Sequence, residues 1–574
     1  MSSGSASILL PGKEELRSDG GGSSAAPGVV ESSESAWPRS LLRKPFLRIP
    51  PFPAANVSQF NKTSSPAVPV EAVARELKRR RVGGTFWGAQ PPLAAGFVLA
   101  ASRASVGAAT KIADGRPVVL WERRDGPVSN RELVIEGECD PWHMLANAHT
   151  LVAEGGDELH LVASLIGCNR IELDSAGGDR RSTGDHLEVL ATELCEVAFE
   201  NPFSGEPMSV LDAIELCGFW RDLIDSNRTI VGGLGFAFWK QRHVAPLLWD
   251  GGEPFKFLRT TPSVGQGCAL AVWRAKVPQE CAAELEQAGA KLIEVEDGFL
   301  RSRGLGADCV PPLSITVDRL GAYFDPSNES ELERLLERGK FDDALLNRAR
   351  KLRKLIVAAG IGKYERGHVG VERPAGERFH ILVPGQVEDD RAVALGGCGL
   401  SSNLELIKRV RKQAPHAYIL YKPHPDVIAG HRRGAIPQSS CLEYADEIVG
   451  SAPISSLIAM VDEVHVNTSL AGFEALLREK PVTTYGVPFY AGWGLTRDLA
   501  SVPTRRTARR SLDELVAATL LLYPRYLDPI SGLPCPAEVV VARLSAGEGP
   551  ETGLVVGLRR LQGRLMRRLR EVGR

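Results

Sequence analysis

From residue 229 to about residue 530, short apolar runs alternate with amphipathic stretches of helical period, and this alternation restricts the fold more than any other feature. TIVGGLGFAFWKQRHVAPLL (229–248) reads as a strand, a glycine turn and a helix. CALAVWR (268–274) and KLIEVEDGFL (291–300) read as strands separated by the helical AAELEQAGA, and LSITVD (313–318) and the helical ESELERLLERG follow. A second series opens with FHILVPGQ (379–386) and continues through the helix NLELIKRVRKQ, the strands YILYKPHP and DEVHVNT (462–468), the helix SLAGFEALLREK and the strand PVTTYG. Strands alternating with helices build parallel sheets covered on both faces. The expectation is an α/β protein with two Rossmann-type domains, 221–375 and 376–530, around a cleft. Ligands then belong at the carboxyl ends of the strands.

The flanking regions read differently. Residues 1–85 are rich in Ser, Gly and Pro (SDGGGSSAAPGVVESSES, then RKPFLRIPPFPAA), with too little apolar periodicity to offset chain entropy, so this stretch is expected to be disordered. Within 86–220, GFVLAA and PVVLWER look like buried strands. DPWHMLANAHTLVAEGGDELHLVASLIG (140–167) also runs in the same order as ISSLIAMVDEVHVNTSLAGFEALL (454–477). The first copy lacks the Thr-Ser before its helix and a counterpart of Glu474, so 86–220 is read as a partial or degenerate α/β repeat. A chance likeness of two α/β fragments stays open. Residues 531–574 are read as a basic helical tail; GLRRLQGRLMRRLREVGR (557–574) carries leucines at near-helical spacing and suits either an anionic lipid surface or packing on its own domain.

Composition excludes several classes. With 69 basic and 70 acidic residues, no global charge favours nucleic acid. The ten cysteines form no C-x-x-C pair, which argues against a zinc site or a disulfide scaffold and fits a reducing, cytoplasmic setting. No apolar run is long enough for a spanning helix, and no secretion signal is visible. Neither D-x-D nor a P-loop motif occurs, so no metal is expected.

Chemistry-bearing residues gather at strand ends. KPHPDV (422–427) brings Lys422 and His424 to the cleft edge, where both can meet a phosphate; a rigid strand exit is the alternative. In NTSLAGFEALL (467–477), Thr468 or Ser469 caps a helix whose free N–H groups suit an anion, with Gly472 allowing close approach. Glu474 can meet ribose hydroxyls or simply complement the helix dipole. PGQVEDDR (384–391) sets three acids after a buried strand. EDGFLRSRGLGADC (296–309) sets Glu296 and Asp297 at another strand end, as an acid pair for glycosyl transfer or as an Asp-Gly turn with Arg301 pairing Glu296. YGVPFYAGWGLTRD (485–498) offers either an aromatic platform for a sugar or base, or loop packing.

Taken together, EDGFLRSRGLGAD, PLSITVD, GQVEDDRAV, YKPHPDV, TSLAGFEALL and PVTTYGVPFYAGWGLT, in this order over about 229–530, resemble the capsule polysaccharide biosynthesis/export family, and within it the retaining β-Kdo transferases of the capsule lipid linker. The resemblance implies a GT-B-like fold, CMP-Kdo as donor and no further cofactor. It also implies a lipid-linked oligosaccharide acceptor, attachment at the inner face of the cytoplasmic membrane and capsule assembly proteins as partners. On it, Asp390 is the nucleophile with Asp389 as rival, Glu296 before Asp297 supplies the acid, and Gln386 leads the catalytic loop. Lys422, His424, Ser469, Gly472 and Glu474 hold the nucleotide. Ala392 stands where Ser is expected. A sugar-nucleotide epimerase and a non-catalytic export component are the alternatives.

Overall fold

The computed structural model describes residues 42–549 except positions 43, 65, 124–128, 132, 174–178, 182–185, 263–266, 302–308, 363–371, 375 and 431. Among the described residues, three large sheets lie in chain order, beside a small antiparallel one. The C-terminal sheet is wholly parallel. In chain order its strands are His380–Pro384, Tyr418–Lys422, Glu447–Ile448, Glu463–Val466, Val482–Thr484 and Arg497–Asp498, and in space they run third-second-first-fourth-fifth-sixth. This order reverses direction between the first and fourth strands, the switch point at whose carboxyl-end crevice open α/β sheets bind their ligands. The central strands are buried, as expected where helices cover both faces; His380–Pro384 is buried throughout and Tyr418–Lys422 in all but its first residue.

The middle sheet joins Phe257–Leu258, Ile230–Leu234, Ala269–Val272 and Lys291–Asp297 in parallel, then extends antiparallel through Ser314–Asp318, Pro524–Leu527 and Pro534–Cys535. The chain therefore leaves this lobe, builds the C-terminal one and returns to finish the first. The return path straps the lobes together. Glu333, buried on the middle lobe, accepts from Arg506 at 3.0 Å and also binds Arg505, and Arg510 donates to the carbonyls of Glu337 and Gly339 at 3.1 and 3.3 Å.

Three expectations need correction. Residues 42–85, expected to be disordered, are described except at 43 and 65, and they fold. Val70–Arg80 is a helix, and Phe46, Leu47, Ile49 and Phe52 are buried; Phe52 meets the rings of Trp220 and Trp249 at 6.0 and 5.1 Å. Their order comes from distant helices, not from local periodicity, so composition misled. Gly83, at φ +111°, lies where a Cβ would strike the Phe46 ring, which ties this strap down. Second, 86–220 is more than a partial unit. Phe97–Ala100, Val118–Glu122, Val134–Glu136, Ala148–Glu154 and Asn169–Leu173 are all parallel and stand in the same third-second-first-fourth-fifth order as the C-terminal lobe. The two echoing segments fold alike, as helix, strand, helix: Pro141–Asn147, Ala148–Glu154 and Glu158–Ile166 against Ile454–Met460, Glu463–Val466 and Leu470–Leu477. Third, the middle lobe does not stop at 375: Pro524–Leu527, expected in the C-terminal domain, pairs in its sheet. Pro534–Cys535 pairs in its sheet, and the helix Ala537–Ala546 buries Val539, Val540, Val541 and Leu544. The basic stretch 557–574 and residues 1–41 lie outside the described residues.

The N-terminal unit is joined to the long helix Val210–Asn227 by a buried ion pair. Arg221 and Asp140 side chains are 2% and 0% exposed, and Asp140 also caps its helix by accepting from Trp142 N at 2.9 Å. Removing one partner strands the other charge in a low-dielectric core. Arg221→Ala is therefore expected to cost about 3–5 kcal/mol in urea unfolding, and pairing Arg221→Met with Asp140→Leu to recover most of it.

Candidate active site

In the C-terminal lobe, Gln386, His424 and Ser469 follow the first, second and fourth strands, so they share one sheet edge. His424 and Ser469 stand two strand spacings apart, about 10 Å, with Gln386 between them. The loops are tied across the crevice: Gln386 Nε2 donates to Thr468 Oγ1 at 2.9 Å, and Thr468 N donates to Gln386 Oε1 at 3.0 Å. Buried Asn403 clamps the same loop, accepting from Gln386 N at 2.8 Å and donating to the carbonyls of Gln386 and Gly434 at 2.8 and 3.0 Å. Ser469 caps Leu470–Leu477, its Oγ accepting from Ala471 N at 3.2 Å. His424 Nδ1 accepts from Asp426 N at 3.1 Å, which puts the proton of a neutral ring on Nε2.

Three nucleotide-site expectations take a different form. Lys422 is buried and turns its ammonium to the carbonyl of Ala452 at 2.7 Å, holding a loop. Gly472 is small for a packing reason: a Cβ there would lie 2.2 Å from Tyr490 Oη. The aromatic residues of 485–498 form no platform, because Tyr485, Phe489, Tyr490 and Trp493 are all buried. Their partner is Phe299, from the opening EDGFL stretch, with ring centroids 4.9 Å from Phe489 and 6.2 Å from Phe473. An aromatic core thus joins the lobes beside the crevice. Glu474 is buried, with its carboxylate facing Gly362. Ser302, Gly304 and Gly306 lie outside the described residues.

The acids divide sharply. Lys291–Asp297 alternates, with Ile293 and Val295 buried and Glu294 and Glu296 on the other face. Both glutamates meet Arg391 from the C-terminal lobe: Nη1 donates to Glu294 Oε2 at 3.1 Å and Glu296 Oε1 at 3.0 Å, and Nη2 to Glu294 Oε1 at 3.1 Å. Asp297 is held elsewhere, by Lys240 Nζ at 3.0 Å and Arg301 Nε at 2.9 Å; Arg301 pairs with it and not with Glu296. Lys240 is itself seated 3.4 Å over the Trp273 ring. Burial pushes the Glu296 carboxyl up to about 8, opposed by Arg391 and Lys240 and reinforced by Asp297 and Glu294. Burial would raise Asp297 too, but Arg301 and Lys240 outweigh it and hold that carboxyl well below the usual range. Two adjacent acids thus differ in protonation, the pattern that separates an acid from a fixed anion.

Asp390 precedes Arg391 and caps Arg391–Gly396, accepting from Ala392 N at 3.0 Å; its side chain is half exposed. Asp389 faces Arg432 at 3.3 Å. Asp390 and Glu296 therefore belong to one cleft, linked through Arg391. Sequence reasoning missed Lys240, Glu294, Asn403 and the role of Arg391. The i, i+2 glutamates of an otherwise apolar strand were a usable signal for a shared cation; Asn403, one polar residue opening a helix, gave none.

The N-terminal unit lacks this arrangement. At its matching corner Asp157 caps Glu158–Ile166 and takes Arg123 Nη1 at 3.1 Å, while Arg48 of the strap binds Glu158. Carboxylates thus stand at this corner, where the C-terminal lobe has the neutral cap Ser469.

Comparison with known proteins places residues 269–526 in a match to the family described as capsule polysaccharide biosynthesis protein. The chain is 38% identical over 356 residues to the capsule polysaccharide modification protein LipA of Neisseria meningitidis serogroup B, covering 61% of this chain and 50% of LipA. It is 45% identical over 258 residues to the lipopolysaccharide-processing protein LpsZ of Rhizobium meliloti, covering 44% of this chain and 58% of LpsZ. Among solved structures, the β-Kdo 2,7 and 2,4 transferases of Thermosulfurimonas dismutans KpsC align at 34% and 31% identity. They cover 55% of this chain and 99% and 98% of theirs, with TM-scores of 0.45 and 0.48. The chain spans about half the length of the curated relatives it matches.

Neutralising Asp297 leaves Lys240 and Arg301 buried without their anion. Asp297→Asn is expected to cost about 3–5 kcal/mol at pH 7. Because the folded carboxyl is held low, the wild-type advantage is complete above the unfolded value near 4 and drains as pH falls below it. Urea unfolding should show the same gap between variant and wild type at pH 7 and 5 and a narrower one at pH 3, the remainder going only as pH falls through the low folded value.

Proposed function

Because this chain belongs to the capsule polysaccharide biosynthesis protein family, we propose that it is a retaining glycosyltransferase that moves Kdo from CMP-Kdo to a lipid-linked acceptor. The observation that carries this reading is the Arg391 bridge. It joins Glu296 on one lobe to the residue after Asp390 on the other, beside the edge where Gln386, His424 and Ser469 gather. The GT-B-like pairing is part of the same proposal, supported by the two α/β sheets, the cleft between them and the returning C-terminal strands.

In this reading the phosphate of CMP meets His424 Nε2–H and the N–H groups that open Leu470–Leu477, and Glu474 serves the ribose. Asp390 attacks the anomeric carbon while the bond to phosphate breaks, and the departing CMP takes a proton from Glu296. An acceptor hydroxyl then displaces Asp390, giving its proton to the Glu296 carboxylate, so the configuration is retained. Asp389 is the rival nucleophile; Arg432 lies nearer to it, at 3.3 Å, than to Asp390, at 4.0 Å. Among the described residues no helix is long and apolar enough to cross a membrane, so access to a lipid acceptor is proposed to come from surface attachment.

Purified protein should release CMP from CMP-Kdo only when a Kdo-primed lipid acceptor is present, and Asp390→Asn should lower that rate by about a thousandfold or more. Equal activity in Asp390→Asn and Asp389→Asn would end the nucleophile assignment. Product formed from donor alone would point to the epimerase, and the lack of any CMP-induced thermal shift to the non-catalytic component, since a ligand at a hundred times its Kd stabilises by about 2.7 kcal/mol. With the N-terminal corner filled by Asp157, calorimetry should find one CMP per chain. Glu296 enters as the protonated acid, so kcat/KM should fall above pH 8, and Glu296→Gln should be slow and lack that alkaline limb.

A further inference from the structure

We propose that Arg391 is the receptor for the carboxylate of the donor sugar, held on Glu294 and Glu296 until the donor arrives. This rests on the proposed transfer reaction and names the residue that would select an acidic sugar at that site. The resting geometry motivates it. Arg391 makes three N–O contacts of 3.0–3.1 Å with two carboxyl groups of the opposite lobe, and its guanidinium lies 5.1 Å over the Phe324 ring. It engages an oxygen of Glu296, the group that must reach the reacting sugar. The bridge therefore has to open before transfer.

A neutral ligand would have to break these contacts without replacing them. An anionic one can exchange carboxylate for carboxylate, because the planar fork of arginine accepts either partner with two parallel hydrogen bonds. Aromatic stacking on Phe324 keeps the guanidinium oriented during the exchange, and 28% of the Arg391 side chain remains open to solvent. The groups around Glu296 are Glu294 and Asp297 on its own strand, Lys240 from the Phe238–Leu248 helix, Arg391 and the preceding Asp390 from the facing lobe, and Arg301, which pins Asp297. Three cations thus face four acidic groups, one of which burial drives toward its neutral form, so recognition of an anion rests on the exchangeable contacts of Arg391 and not on a surplus of charge. The phosphate corner at His424 and Ser469 follows different strands, so sugar recognition and phosphate recognition are separable.

The test compares wild type, Arg391→Met and Arg391→Lys in binding freshly prepared CMP-Kdo and, separately, CMP, with circular dichroism as a check on folding. In Arg391→Met, affinity for CMP-Kdo should fall about tenfold or more while CMP affinity stays within about twofold. Arg391→Lys, which keeps the charge but not the fork, should recover only part of the loss. In turnover, the donor KM should rise with the acceptor KM unchanged. The alkaline limb of kcat/KM should move to higher pH in Arg391→Met, since the guanidinium of the resting bridge holds the Glu296 carboxyl down; the readout that separates a receptor from a structural clamp is the selective loss of CMP-Kdo over CMP. Unchanged CMP-Kdo affinity in Arg391→Met, or equal losses for CMP-Kdo and CMP, would overturn the inference. A wild type that binds CMP-Kdo in an Arg391-dependent way but transfers nothing would defeat the transferase reading and leave this one standing. A wild type that binds neither ligand would defeat both.

Discussion

The site is organised around Asp297, pinned between Lys240 and Arg301 at the end of a buried strand. That pair of cations settles which way the strand end faces. With Asp297 turned to its own lobe, Glu296 falls on the opposite side of the pleat, toward the C-terminal lobe, and Phe299 two residues further on enters the aromatic cluster of Phe473 and Phe489. One anchored carboxylate thus positions both a polar and an apolar joint between the lobes. Burying an ion pair is seldom a route to stability; here it fixes the orientation of the strand end.

The two joints have different physics. The aromatic cluster around Phe299, together with the arginine strap at Glu333, is dry and closely packed, suited to keeping the lobes in one relative position. The Arg391 bridge is partly open to solvent and made only of charged hydrogen bonds, which an incoming anion can replace. A cleft that is rigid along one side and exchangeable along the other can admit a charged ligand without separating the lobes.

The N-terminal unit shows how little is needed to close such a site. Its five parallel strands repeat the order of the C-terminal lobe, and its fourth strand likewise runs into a capped helix. Where the C-terminal lobe has Ser469, this unit has Asp157 neutralised by Arg123, so the helix N-terminus is already satisfied by an internal anion. The strand order is the same while the charge at the corner differs, and the unit packs against Val210–Asn227 through Arg221 and Asp140.

Alternating strand and helix periods, the capped helix at Ser469, the strand exit at His424 and the acids at 296–297 and 388–390 were all legible in the sequence, because each rests on local spacing along a strand or helix. The folding of 42–85, the full N-terminal sheet, the strand and helix beyond 530 and the partners of Lys422, Gly472 and the 485–493 aromatics were not. Each of these depends on a group far away in the chain: Phe52 on Trp220, Gly472 on Tyr490, Glu296 on Arg391. Local chemistry determined by itself where charge and apolar surface lie along each element. Only tertiary packing decided which of two neighbouring acids is locked to cations and which faces the cleft, since that choice is made by burial and by Lys240, Arg301 and Arg391, which no spacing rule connects.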